Sequence, residues 1–505
     1  MTSAPTDYFI STPIYYVNDA PHLGHAYTMI NSDVFARWHR GLGERVLYLT
    51  GTDEHGQKIA DSAAKAGMDV GEWTDSYANK FKETWASLHI SYDDFIRTTE
   101  DRHSIAVKKF LQAVYDNGYI YKGKYEGLYC VSCESYYTAT EAVESNCPVH
   151  KRPLTVMEEE NYFFRLSAFT EAISKWYEDV EDSVFPDFRK NESAAFVKGG
   201  LEDISISRVS LKWGIPLPWD ESHVCYVWFD ALINYLTAIG YGDGDPLFES
   251  RWKNSHHLIG KDIQRFHCVW WPAMTMAAGL TPPRQVLVHG WLLVKGEKMA
   301  KSGGNGVDAV SLSATYGVDA VRYYLMREYS LGSDGDFSLE ALEQRYNVEL
   351  ANNLGNLLSR VTNIVAKNLG GLTPGYRGTV ADPIVLERHI TAFREHMDGY
   401  LTSKALEEIA SMVRYANVLI EESAPWKEKD PERLSAILGD LLEIIRLAAV
   451  ALSPILVVSS PLILEAIGVN REVVAGNFVD ELVVGRYVGG STIEKAAPLF
   501  PRIEG

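Results

Sequence analysis

No lysine or arginine precedes Arg37. The basic n-region of a secretory signal is therefore missing, no transit-peptide pattern replaces it, and a cytosolic address is expected. Cysteine is scarce: of five in the chain, three fall between positions 130 and 147, unlike the dispersed set of a secreted disulfide framework. Metal binding is the better reading of that cluster. An unbroken apolar run of membrane-spanning length is also lacking. The longest uncharged stretch, 447–464, is interrupted by Pro454, Pro461, Ser459 and Ser460, so buried bundle helices are expected there rather than a membrane span. Basic charge is in deficit, with a formal net charge of −19, which excludes whole-surface adhesion to nucleic acid. RNA could dock only on local clusters such as Arg345, Arg360, Lys367 and Arg377, residues that suit a solvated face equally well. There is no Walker A motif, no repeat and no low-complexity segment.

What is present describes a large globular chain. Its 505 residues exceed what one core supports and predict roughly three domains, and 46% hydrophobic residues can fill large cores. Positions 8–17 are rich in Ile, Tyr, Val and Phe before the turn Asn18-Asp19-Ala20-Pro21, which predicts a buried strand. Ala26, Ile30, Val34 and Trp38 then recur at helical spacing up to Gly41 and Gly43, and 46–50 reads as a second strand. Strand, helix and strand make a βαβ unit and hence a parallel sheet with its chemistry at the carboxyl ends. The α/β alternation is interrupted over about 119–225 and resumes with strands near 256–259 and 286–289 around a Trp-rich helical stretch, 266–278. From Ser338 onward the pattern is helical, with few strand signals apart from the final stretch, 476–505.

His22-Leu23-Gly24-His25 falls where the first predicted strand hands over to a helix. A helix N-terminus gathers unpaired N–H groups and a positive dipole end, and two imidazoles add donors for phosphate oxygens. Gly24 lets an adenine ring lie against the backbone. Alone, such a pair also suits a surface turn or a cap; the strand-turn-helix setting favours the ligand reading. A second motif, Lys298-Met299-Ala300-Lys301-Ser302, lies between Gly296 and Gly303. Two lysines three apart on a glycine-hinged loop can cover a triphosphate and neutralise a departing pyrophosphate, whereas a solvated basic loop is the plain alternative. A loose dinucleotide pattern at 304–309 does not follow the first strand and is set aside.

HLGH and KMAKS, about 275 residues apart, resemble the HIGH and KMSKS motifs of class I aminoacyl-tRNA synthetases. Within that class, the runs Thr12-Pro13-Ile14-Tyr15-Tyr16-Val17-Asn18, Gly51-Thr52-Asp53-Glu54-His55-Gly56 and Val227-Trp228-Phe229-Asp230-Ala231-Leu232 resemble methionyl-tRNA synthetases. With Gly260-Lys261-Asp262-Ile263, Phe266-His267 and Trp270-Trp271-Pro272 the likeness spans essentially the whole chain. It implies ATP as substrate with Mg²⁺, and L-methionine as the amino acid. Asp53 would meet the substrate ammonium, and Ile14, Tyr16, Trp228, Ala231, Tyr235, Ile263, His267 and Trp271 would surround the side chain. Aromatic walls suit a flexible, polarizable thioether, although Trp and Tyr at such positions are otherwise core residues. His22, Gly24, His25, Gly260, Asp262, His289, Lys298 and Lys301 match ATP-site positions, with His22, His25, Lys298 and Lys301 as the catalytic set. Ala300 replaces the family's usual serine; both lysines and Ser302 remain, so activity is expected to survive.

Cys130-x-x-Cys133 and Cys147-x-x-His150, two pairs joined by the segment 134–146, have the spacing of one structural Zn²⁺ with no open position; reduced thiols are the alternative. Cys225 and Cys268 read as buried thiols. Asn356, Arg360 and Trp426 resemble the family's anticodon-reading positions and imply tRNA(Met), initiator and elongator, as partner; a packing tryptophan and a surface arginine are the alternative. The expected fold is α/β: a Rossmann-like parallel-sheet catalytic domain (1–118 and 226–290), split by a zinc-knuckle insertion (119–225). A linker with the KMAKS loop (291–345) and an all-α anticodon-binding bundle (346–505) follow, and a monomer is expected. Three rivals are another class I synthetase, a nucleotidyltransferase without tRNA, and a tRNA-binding scaffold with a dead site. The short insertion with Tyr16 and Trp228, the helical extension, and the intact histidines and lysines argue against them in turn.

Overall fold

The computed structural model describes residues 5–130, 135–137, 142, 145–148, 151–209, 211–299 and 306–503. Its central sheet has seven strands: β1 (Asp7–Ser11), β2 (Tyr15–Tyr16), β3 (Arg45–Asp53), β4 (Asp94–Arg97), β5 (Val184–Phe185), β6 (Ser255–Gly260) and β7 (Gln285–His289). The order is β2-β3-β1-β6-β7-β5, with β4 also on β3, and every pairing is parallel. β1, β6 and β7 are buried at every residue, as strands covered by helices on both faces must be.

One strand is expected over 8–17, and the structure makes two. Pro13 has no N–H to give the ladder, so β1 stops at Ser11 and β2 resumes at Tyr15. Ser11 lies opposite Leu49 and Tyr15 opposite Thr52, a change of register by one residue that re-aims the side chains between them. Helix α1 (Leu23–Gly41) follows, with Ala26, Ile30, Val34 and Trp38 all buried. Because β1 has β3 on one side and β6 on the other, a crevice opens at the carboxyl ends beside β1, where such sheets bind ligands.

Helix α2 (Asp101–Asp116) leads into the interrupting region. There Ile120–Cys130 pairs antiparallel with Thr155–Phe164, from Ile120 opposite Phe164 to Tyr129 opposite Thr155, and Ser135–Tyr137 and Ile204–Ser205 flank them. This region is not detached. β5, from inside 119–225, pairs with β7 through Val184 and Phe185 and completes the central sheet at that side.

Helix α3 (Val318–Glu328) opens the passage to the helical part, which contains α4 (Asn356–Asn368), α5 (Pro383–Asp398), α6 (Thr402–Ser423) and α7 (Pro431–Leu452). α7 is buried continuously from Ala436 to Leu452, and the uncharged stretch 447–464 begins in it and runs on into the helix Ser459–Ala466. No helix among the described residues is long and apolar enough to cross a membrane. The strand signals of 476–505 yield no strand among the described residues, only a bridge between Leu372 and Thr492. That segment is held along the bundle by backbone bonds such as Ile493 N–H to Gly371 O, 2.9 Å.

Bundle and sheet are tied by Arg322 of α3, which is fully buried. Its guanidinium donates to Asp33 Oδ2 on α1 at 2.6 Å and to the carbonyls of Leu88, Pro454 and Ile455. Burial opposes the charge on Asp33, but Arg37 and Arg322 hold its carboxyl down at about 2, so the ion pair persists at neutral pH.

Candidate active site

His22 is the N-cap of α1, and its Nδ1 accepts the Gly24 N–H at 3.0 Å. His25, one turn on, accepts the His22 N–H through its own Nδ1 at 3.1 Å. The two imidazoles thus form a reciprocal capping box normally built from Ser or Thr and Glu, with ring centroids 3.9 Å apart. Since each Nδ1 accepts, each neutral ring carries its proton on Nε2, where it can donate. A side chain at Gly24 would press on the His22 ring: an added Cβ would lie 2.8 Å from its Cε1.

The ends of β6 and β7 meet beside this cap. Gly260 stands opposite His289 in the ladder, and His289 Nε2 accepts the Thr28 hydroxyl of α1 at 2.8 Å while its Nδ1 donates to Gly290 O. Burial lowers the His289 pKa, so the neutral form is the one held. After β6, exposed Asp262 receives Lys298 Nζ at 3.0 Å. Crowding around the carboxyl opposes its charge, but the Lys298 ammonium keeps it below its usual range. Lys298 and Lys261 both lie over the Trp291 ring, at 4.4 and 4.0 Å from its centroid. The far side of the lysine motif is anchored too, because Val307 O accepts the Leu23 N–H of α1 at 2.9 Å. Lys301, with Ala300 and Ser302, lies outside the described residues.

The methionine-pocket candidates gather at the same sheet end. Ile14 and Tyr16 are half-buried on the segment that Pro13 re-aims, and Asp53 is buried opposite Tyr16 at the last residue of β3. Trp228 and Ala231 sit on the short helix Val227–Leu232, and the Trp228 ring stacks on Phe266 at 4.1 Å. Tyr235 donates its hydroxyl to His267 Nε2 at 2.7 Å, and His267 Nδ1 donates to Ile263 O at 3.0 Å. Burial drops the His267 pKa to about 4, which keeps Nε2 an acceptor. Trp271 is fully buried, and its indole N–H reaches His257 Nε2 at 3.1 Å; it backs the wall rather than facing open space. His257 in turn meets Ser11 Oγ at 2.7 Å. His257 escaped the sequence reading because a strand histidine gives no periodic signal, and so did buried Arg208, whose guanidinium lies 4.5 Å from the Tyr226 ring centroid.

The remaining candidates lie elsewhere. Asn356 begins α4 and Arg360 follows one turn on, while Trp426, 43% exposed, comes just after α6, where Ala424 adopts a left-handed conformation. Arg360 lies 5.4 Å from the Trp426 centroid and pairs with Glu421 at 2.7 Å. Arg345 and Arg377 are likewise ion-paired, with Glu328 and Glu432, so they are not free cationic patches. Cys130 ends its strand opposite Ser135, and Cys147 opens a turn in which the Lys151 N–H bonds to Cys147 O at 2.8 Å. Both cysteines are buried. Their expected co-ligands Cys133 and His150 lie outside the described residues, among which no group of three metal-ligating side chains converges. Cys225 and Cys268 are buried thiols, Cys268 pushed up to about 12 by burial.

Known proteins resemble this chain in sequence and in fold. The family model of class I tRNA synthetases (M) matches residues 8–154 and 149–362. The chain is 44% identical to a methionine–tRNA ligase of Streptomyces coelicolor, covering 98% of this chain and 97% of that one. It is 43% identical to the methionine–tRNA ligase of Thermotoga maritima, covering 98% and 80%. In structure it resembles Mycobacterium tuberculosis methionyl-tRNA synthetase in complex with methionyl-adenylate, with a TM-score of 0.93 at 39% identity over 98% and 100% of the two chains. The apo form of the enzyme from that organism gives 0.88 at 36%, covering 100% of both chains. A matching family model over most of the sequence, and relatives this similar along nearly its full length, lead to one conclusion: the chain belongs to the class I methionyl-tRNA synthetase family.

Proposed function

We propose that this chain is a methionine–tRNA ligase: it activates L-methionine with ATP to methionyl-adenylate, releasing pyrophosphate, and transfers the methionyl group to the 3′ end of tRNA(Met), releasing AMP. The observation that carries the reading is the convergence at one sheet end of the His22–His25 cap, the Gly260–His289 pair and the Lys298–Asp262 bridge. The amino-acid candidates lie beside them. The methionine carboxylate is already a nucleophile, so attack on the α-phosphorus needs no general base. What is needed is neutralisation of charge: two Nε2–H donors at a helix N-terminus, and Lys298 with Lys301 on the leaving pyrophosphate. Lys298 would exchange Asp262 for phosphate oxygen, releasing that carboxylate for ribose hydroxyls. Mg²⁺ bound with the nucleotide supplies further charge neutralisation. Asp53 would hold the substrate ammonium, and Ile14, Tyr16, Trp228, Ala231, Tyr235, Ile263 and His267 the thioether, with Trp271 behind them.

In this reading 1–118 and 226–290, together with β5, form the catalytic unit, 119–225 the connecting region, 291–345 the lysine-loop linker and 346–505 the anticodon-binding bundle of a cytosolic monomer. Cys130 and Cys147 would each supply one half of a tetrahedral site with Cys133 and His150, and a zinc ion there would pin the two chain segments together. Amino-acid-dependent exchange of pyrophosphate into ATP, run with each of the twenty amino acids, tests the proposal. Exchange with methionine alone is expected, and exchange with another amino acid, or with none, would overturn it.

A further inference from the structure

Asp230 is the one charged residue of the helix Val227–Leu232, and it has no exposure at all. Burying a carboxylate is costly unless it is paired and hydrogen-bonded. Here each oxygen has its own histidine: His55 Nδ1 lies 2.7 Å from Oδ2, and His103 Nε2 lies 2.7 Å from Oδ1. Those histidines come from different elements. His55 stands two residues past Asp53 at the exit of β3, and His103 lies in the first turn of α2, fully buried, with its Nδ1 3.1 Å from Thr237 Oγ1. The outer face of His55 is covered edge-on by Trp213, at 5.8 Å between centroids. Burial works against the carboxylate, yet the two histidines hold its pKa down at about 2.

Two residues along a helix turn through about 200°, so Trp228 is presented on the side away from Asp230, and Ala231 adjoins it. A six-residue helix has little stiffness of its own. We propose that Asp230 is a positioning residue for amino-acid selection: clasped by His55 and His103, it fixes the rotation of this helix and so the distance between the Trp228–Ala231 wall and the Asp53 end of β3. An apolar residue could fill the same space without specifying that rotation. The proposal rests on the reading of Trp228, Ala231 and Asp53 as methionine contacts.

The test is methionine binding by calorimetry, together with the methionine and ATP dependence of pyrophosphate exchange. Asp230→Asn, which turns one acceptor into a donor facing a histidine N–H, is expected to raise the methionine Kd and KM by about tenfold or more, leaving the KM for ATP within about twofold. The same variant is expected to accept near-isosteres of methionine more readily relative to methionine. His103→Gln and His55→Asn, whose amide N–H groups stand where Nε2 and Nδ1 stood, are expected to stay near wild type. A folded Asp230→Asn with an unchanged methionine KM, or with both KM values raised alike, overturns the proposal. If that variant does not fold, His55→Leu against His55→Asn decides: a methionine KM raised only by leucine supports the role, and equal values overturn it. No methionine binding by the wild-type chain overturns the functional reading and this role with it.

Discussion

A histidine that accepts through Nδ1 can donate only through Nε2, and His22 and His25 are both committed to that state by backbone N–H groups. Gly24 is the residue that permits it. Gly24→Ala is expected to displace the His22 ring and loosen the cap, at about 1 kcal/mol, and to lower kcat/KM for ATP in pyrophosphate exchange by roughly tenfold. An unchanged kcat/KM would remove the cap from the mechanism. His267 makes a prediction about pH. Its folded pKa of about 4 lies below the unfolded value near 6.5, so the unfolded chain binds the extra proton first. Stability from this group is complete above pH 6.5 and falls as pH drops toward 4, by roughly 3 kcal/mol. Urea unfolding at a series of pH values would measure the slope, and His267→Asn is expected to flatten it. Residue types and spacing singled out His22, His25 and Lys298, which the structure brings to one end of the sheet. They could not reveal His257 or the clasp on Asp230, because such partners are far apart in the chain and meet only through the sheet.

Elements were legible where a period repeats long enough to average out local noise. α1, β3, β6 and β7 lie within a few residues of their predicted bounds, since each is a sustained apolar stripe or run. Two features were not: the break at Pro13, a single residue that withdraws one donor, and β5, only two residues long and recognisable solely by its partner β7. In the bundle, α4 and the turn after α6 place Arg360 beside the Trp426 ring, with Asn356 one turn before Arg360. Trp426→Ala is expected to weaken tRNA charging by roughly 1–3 kcal/mol, the worth of one base stacked on an aromatic ring. Methionine-dependent exchange without tRNA is expected to stay at the wild-type rate, and equal loss of both activities would break the assignment of this face to RNA.

At the scale of the molecule, central sheet and bundle share one buried arginine. Arg322 joins α1, the end of the helix Val70–Ser87 and the chain after α7, so the two parts are expected to unfold together. Arg322→Leu leaves the buried Asp33 carboxylate with Arg37 and Ser91 alone and takes the donor from three carbonyls, and is expected to cost up to about 3–5 kcal/mol. Differential scanning calorimetry would read this as a lowered Tm, and two resolved transitions in the wild-type chain would contradict the coupling. The broad α/β-then-helical plan was visible from composition and period, but this tie was not, since Arg322 looks like any helix arginine until its four carbonyl and carboxylate partners are known.

The pairing of β5 with β7 also limits how the protein can be cut. Residues 119–225 look like a cassette that could be excised or exchanged between relatives. Taking them out would strip β7 of its neighbour and bare the N–H and C=O groups of 286–287, an invitation to intermolecular strand pairing. A chimera that keeps its own 184–185 and swaps only the flanking segments leaves that side of the sheet closed.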